Sequence, residues 1–542
     1  MIDRRSKARD GFVRRLRVFL LQNFAPLWRA AESVPFLARR INSFMINTAC
    51  NAAPMRPHPM STLADYTSWT SLTDLSYFGR QLPPTSSPRT VPSVADATSL
   101  FIHTGPAPQV ECPKSTLLFP VFAQYLTDGF LRTDPTNRSK TTSNHQIDMS
   151  PLYGRTQAQT AALRLNADDV GKRGRMKSQL INDEEFPPDL YQPGTSNLVK
   201  GFEVLDPPLG IDLEWAAGEH YKRRIFAVGG DRANATPMVS MLNTLLLREH
   251  NRLAGEIEAR NRGWDDTRVF ETTRNIVIAM YIKIVIEEYI NHISAACFKL
   301  KADPSVAWAA KWNKPNGMTI EFALLYRWHS LIPENMVWNG RSVPSVKMLL
   351  DNTPIIDVGL AQGFLSTCQT NAAKLGLYNT TIFLEKFLTV ESLAIQQNRD
   401  QKLDGYNAYR QCMGMNPVDS FTDMTGDSRR QNDLQRLYGS PDNVDFYVAL
   451  FAEDVGTNTA MPPLLGSMVA LDAFSQALTN PLLSKQVFNA RTFTPFGMDM
   501  IAATSTVWDI LSRNLQGKSA SGLGSETVRI TRKDWKRRFE GF

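Results

Sequence analysis

The spacing of apolar and polar positions divides this chain into long helical stretches joined by irregular segments. "MLNTLLLREHNRLAGEIEARNRG" and "TTRNIVIAMYIKIVIEEYINHIS" repeat apolar residues at helical intervals over several turns, which predicts long helices. "EFALLYRWHSLIPE" (321–334) predicts another apolar helix, stopped near Pro333. Strand signals are few, and no long internal repeat is visible. The expected fold is mainly α: a large helical catalytic domain over 116–515 and a tail over 516–542. Ahead of it lie amphipathic basic helices in 1–50 and an irregular Pro/Ser-rich connection over 51–115.

Within this pattern, "LLFPVFAQYLTDGFLRTD" (117–134) is a mostly apolar helix with a polar flaw. Gln124 and Asp128, four residues apart, share a face, and Thr127 lies beside them. Gly129 follows in mid-helix, at a cost of about 1 kcal/mol relative to Ala. An amide and an acid on a core-like helix are the first sign of a site.

Residues 9–47 alternate basic residues with Phe, Leu, Val, Ile and Trp, and Pro26 and Pro35 cut them into short helices. Such helices suit a membrane interface, and equally an apolar patch of the same protein. Charge sharpens the point. The net +7 of the 542 residues is matched by residues 1–40 alone, with ten Lys/Arg against three acids. The body is therefore neutral, which argues against nucleic-acid binding. No apolar run is long enough to span a bilayer. The five Cys form no CxxC pair and read as free thiols. With no signal-peptide pattern, the expected location is cytoplasmic, peripheral to a membrane if the N-terminal helices bind lipid.

Chemistry concentrates at two places. His329 follows Tyr326 by three residues in "LLYRWHSLI", on nearly the same helix face. A lone His on an apolar helix is more often a core residue, but a neutral imidazole there is what a haem iron needs as ligand. "GGDRANATP" sets Arg232 and Asn234 in a Gly-rich turn before a long helix, where a fixed positive charge would steady an anion or peroxide.

"GDRANATP…LLLREHNRLA", "EFALLYRWHSLIP" and "IQQNRDQKLDGYNAYR" resemble three signature segments of the animal-type haem peroxidase superfamily. The cyclooxygenase-like fatty-acid dioxygenases are the branch they are most similar to. The likeness runs from about residue 15 to about 510, with "FAQYLT", "IDMSPLYGRT" and "FKLKADP" in register. It implies haem b, with His329 as proximal ligand to the iron and Arg327 toward a propionate. It implies that Tyr326 carries the radical that takes hydrogen from substrate, with Tyr289 hydrogen-bonded to it. Gln124 matches the distal glutamine and Arg232 the distal arginine of the peroxidases. Thr127 and Ala235 stand where mammalian peroxidases form ester links, so the haem would be held non-covalently. Asp128 takes the distal histidine position, where a carboxylate could act as general base and then acid. Gly129 removes a carboxylate of the peroxidase calcium site. The arginine and tyrosine that anchor a fatty-acid carboxylate align with Ala49 (or Cys50) and Ala296.

The reading that follows is a haem-dependent oxygenase that adds O₂ to an unsaturated fatty-acid or other lipid-like substrate after hydrogen abstraction by Tyr326. Two others stay open. One is a peroxidase or peroxygenase acting on an apolar small molecule with peroxide, using Asp128 as acid–base. The other is a non-catalytic haem-binding relative. A homodimer is compatible with each.

Overall fold

The computed structural model describes residues 19–52, 74–195, 197–210, 224–313, 317–517 and 520–536. The basic residues before 19, and His58 and His220, lie outside the described residues. Among those described, the architecture is mainly α, with three two-stranded sheets. No described helix is long and apolar enough to cross a membrane. Among the described residues no disulfide joins any of the five Cys.

The helices that frame the site run, in chain order, from α1 (Ala25–Glu32) and α2 (Pro35–Cys50) at the N-terminal end. A strand β1 (Glu111–Thr116) leads directly into α3 (Leu118–Phe130), the helix with the polar flaw. The central α4 (Pro237–Arg260) begins with Pro237 in its first turn and a Thr236 cap that accepts from the Val239 N–H. It is buried over most of its length and packs against α3 and α5 (Asp266–Ile284). A short α6 (Ile320–Leu325) is capped by Thr319. Then come α7 (Thr353–Gln369), strand β2 (Asn371–Ala373) antiparallel to β1, α8 (Val390–Asp400), α9 (Phe446–Ala452) and α10 (Pro463–Leu478).

Two long apolar stretches break where the periodicity alone suggests continuity. The α5 stretch passes into a π-helical turn, Val285–Ile290, that carries Tyr289. Such turns insert one extra residue per turn and cluster at functional sites. The stretch 321–334 is not one helix. α6 ends with Tyr326 as its C-cap, Trp328 leaves helical geometry (φ −93, ψ 49), and a separate 3₁₀ turn covers His329–Leu331. Tyr326 and His329 are therefore set by a bend and not by shared helix phase. The hairpin Asn335–Trp338/Arg341–Pro344 closes on Asn339–Gly340, both at positive φ, the geometry that an Asn-Gly pair adopts without strain.

Arg248, Glu249 and His250 of α4 form a buried structural network. Arg248 pairs with Glu184 at 2.9 Å, and Glu249 with Arg252 and Arg513. His250 bonds the Tyr153 hydroxyl (2.9 Å) and the Gly174 carbonyl (2.8 Å).

Candidate haem and oxidation site

A cavity of about 530 Å³ opens between α3 and the start of α4 on one side and the α6–3₁₀ bend and α8 on the other. That is within the ~300–1,000 Å³ range of cofactor pockets. Gln124, Thr127, Arg232, Tyr326, Arg327 and His329 all line it, as do Ala235 and Arg138. Six of the eight site residues read from the sequence therefore meet in one place. Asp128 and Tyr289 do not line it.

Helix phase does not account for the absence of Asp128 from the lining. At about 100° per residue, Leu117, Pro120, Val121, Ala123, Gln124, Thr127 and Leu131 fill one arc of α3. By the same count Asp128 falls inside that arc, between Leu117 and Val121, so it is its partners that keep its side chain off the cavity lining. Its carboxylate pairs with Arg132, one turn on, at 2.9 Å, and Arg132 also contacts Asp231. Asp128 Oδ2 abuts Gly230, where any Cβ would collide with it, so the Gly-rich turn is cut to fit the acid. The expectation that Asp128 faces the cavity with Gln124 is thus corrected: it shares that helix face, but its carboxylate is engaged by Arg132 and packed on Gly230, and Thr127 lines the cavity instead. Burial is the main force raising the Asp128 pKa, to about 7, with the Asp231 carboxylate adding to it against Arg132 and Arg232. A protonated Asp128 also satisfies Oδ2, which otherwise has no partner, by donating to Asp231.

The opposite wall is built from the bend. Tyr326 stacks on Trp328 (ring centroids 4.7 Å), and Trp328 stacks in turn toward Tyr289 (6.4 Å). Tyr289 is fully buried, behind the cavity, among Phe119, Phe122 and Trp328. Its hydroxyl lies close enough to that of Tyr326 for each to shift the other's ionisation. No hydrogen bond of ordinary geometry joins them, however, and Tyr289 Oη is without a partner. Burial raises the pKa of both phenols, so both stay protonated.

His329 Nδ1 lies 3.2 Å from Glu391 Oε1. That leaves Nε2 as the nitrogen available for a ligand. Among the described His, only His329 lines the cavity. Arg327 donates to the Gln397 side-chain oxygen at 2.7 Å, and burial lowers its pKa to about 10. Arg232 reaches the Leu131 carbonyl at 3.4 Å. Asn234 takes no part in the cavity. It clamps the backbone of Phe226 with one donated and one accepted bond and so fixes the turn that presents Arg232. The donor set fits a haem: one free imidazole nitrogen on one wall, an amide and an arginine on the facing wall, arginines for carboxylates, and apolar sides.

The animal haem peroxidase family matches residues 85–522. The chain belongs to that family. It is accordingly an oxidoreductase, and haem is the cofactor the family implies. Prostaglandin G/H synthase 2 of Bos taurus is 28% identical over 530 residues, covering 95% of this chain and 83% of its own length. The fatty acid alpha-dioxygenase of Oryza sativa shares the fold at TM-score 0.66 and 16% identity, covering 94% of this chain and 95% of that one. Peroxidase A of Dictyostelium discoideum does so at TM-score 0.64 and 19% identity, covering 83% and 92%.

Three participants escaped the sequence reading. Glu391 and Tyr447 join the site from segments far along the chain and Arg138 from the loop just after α3, and nothing in their local sequence marks them. A second cavity, of about 1410 Å³, lies beyond Ile290 and Ile293, between the residues just before α1, α10 and the 410–417 and 456–463 segments. Arg410 lines it, bound to Glu453 at 2.6 Å.

Proposed function

We propose that the protein is a haem-dependent oxygenase that removes hydrogen from an unsaturated fatty-acid or similar lipid-like substrate through a radical on Tyr326, so that O₂ adds to the substrate carbon. The observation that carries this reading is that Tyr326 and His329 line one cavity, joined by a rigid bend. Haem b, held non-covalently, would supply the oxidising equivalents once primed by peroxide. The chain's residues do the rest. His329 Nε2 would hold the iron. Arg327 and Arg138 would meet the propionates, and Gln124 and Arg232 would orient peroxide on the opposite face. Thr127 and Ala235 have no carboxylate with which to esterify the cofactor. Trp328 fixes the Tyr326 ring, and Tyr289 backs the pair in a buried aromatic shell. The activities in the names of relatives, prostaglandin G/H synthase and fatty acid alpha-dioxygenase, agree with a lipid substrate. The 1410 Å³ cavity beside Ile290 is where such a chain would lie. Because Ala49 and Ala296 offer no charge, a carboxylate there would have to be held otherwise than in the cyclooxygenases.

The acid–base role of Asp128 in a peroxidase reading has no support from its placement, turned toward Arg132 and Asp231. The test is Tyr326→Phe in the haem-loaded protein. Substrate-dependent oxygen uptake should fall by at least a hundredfold while the Soret band is unchanged. Full retained uptake would sink the radical reading. His329→Gly should abolish the Soret band or restore it only with added imidazole.

A further inference from the structure

We propose that Glu391 is a positioning residue that sets how strongly His329 donates electrons to the iron, by drawing on its Nδ1–H. The inference rests on reading His329 as the iron ligand. Glu391 sits in the first turn of α8, where a carboxylate is favoured by the helix dipole. Its side chain is 1% exposed. Oε1 meets His329 Nδ1 at 3.2 Å and accepts from the Thr380 hydroxyl at 2.8 Å. Oε2 accepts from the Tyr447 hydroxyl at 2.5 Å. Tyr447 comes from α9 and is held by stacking on Phe101 (5.3 Å), so the acid is fixed from three directions.

A neutral acceptor would orient the imidazole equally well. Burying a carboxylate instead costs several kcal/mol unless it is paired and fully hydrogen-bonded. The chain meets that cost with three donors and the nearby Arg327 charge. What a charged acceptor adds is polarisation. An imidazole whose Nδ1–H points at a carboxylate acquires imidazolate character, and its Nε2 becomes a stronger donor. A stronger axial donor favours the oxidised metal and the cleavage of a bound O–O bond. The effect would compensate, from the proximal side, for a distal wall that presents an amide, a hydroxyl and a guanidinium but no imidazole among the described residues.

The haem-loaded protein allows a test with two variants of opposite sign. Glu391→Gln keeps an acceptor for Nδ1–H and removes the charge. The ferrous iron–histidine stretching frequency should fall and the Fe(III)/Fe(II) midpoint potential should rise. Tyr447→Phe removes one donor from the carboxylate, which then pulls harder on Nδ1–H; both readouts should move the other way. A packing role alone would not reverse the sign. Unchanged readouts in both variants, or shifts in the same direction, would overturn the proposal. If Glu391→Gln does not retain haem, the Tyr447→Phe shift decides by its sign. His329→Gly separates the two levels. An iron–histidine stretch that survives it removes His329 as ligand, whereas its loss, with null shifts in the other variants, rejects only the role of Glu391.

Discussion

Asp128 shows how the partners of a side chain change the meaning of a residue. The resemblance of its segment leads one to expect it at a distal histidine position. By geometry it belongs to a charge cluster with Arg132, Asp231 and Gly230, outside the cavity. Its raised pKa has a direct consequence for stability. A carboxyl whose folded pKa lies above its unfolded value stabilises the fold below the unfolded pKa and loses that contribution as pH rises through the folded one. The window here runs from the ordinary Asp value of 3.8 up to about 7. Asp128→Asn fixes the neutral form. Its unfolding free energy relative to wild type, from denaturant melts, should therefore climb as pH is raised from 4 to 8, by on the order of a few kcal/mol across the range. A difference that is flat with pH would show that Asp128 is ionised throughout in the native protein. The sequence made the residue conspicuous but could not give its direction, because Arg132 and Asp231 compete for it only once the 229–232 turn is folded against α3.

Among the elements, helix existence was legible from periodicity, and helix interruption was not. The stretch 321–334 carries enough apolar residues to continue past Tyr326, but Trp328 leaves helical geometry and its indole donates back to the Leu325 carbonyl. Nothing in the local pattern signals that bond. The π-helical turn under Tyr289 is hidden for the same reason: the extra residue is absorbed without a Pro or Gly. The opposite case is α1 and α2, whose surfaces agree with their sequence. Leu27, Phe36 and Phe44 are exposed at 62%, 69% and 57%, alongside Arg29, Arg39 and Arg40. If these helices lie on a bilayer, replacing Leu27, Phe36 and Phe44 together by Ser removes about 1.5–3 kcal/mol of burial for each side chain fully inserted. Co-sedimentation with anionic vesicles should then drop at least tenfold without loss of the Soret band. Equal partitioning of variant and wild type would assign the exposed face to something other than lipid.

Over the whole molecule, buried ionisable groups pull stability in opposite directions. Burial raises Glu288 to about 7, as it does Asp128. Burial lowers His250 to about 4. The histidine contribution is present above its ordinary value of 6.5 and is lost as pH falls through 4, because the unfolded chain takes up the proton first. The carboxyl contributions run the other way over nearly the same interval, so the wild-type curve should be shallow between pH 4.5 and 6.5. His250→Gln removes one arm. It should lower Tm at neutral pH and make the variant's Tm fall more steeply as pH rises through that interval; an unchanged slope would mean that His250 is charged in the native state.

The cavity is walled by residues from opposite parts of the chain: 117–138 and 232–238 on one side, 323–349 and 383–393 on the other. Neither group can grip a planar cofactor by itself. Contacts so distant along the sequence form late, after the loop between them has closed. Cofactor capture is then a clock for assembly. In refolding with haem present, recovery of the Soret band should trail recovery of helical circular dichroism, and the interval between them would time the docking of the two halves.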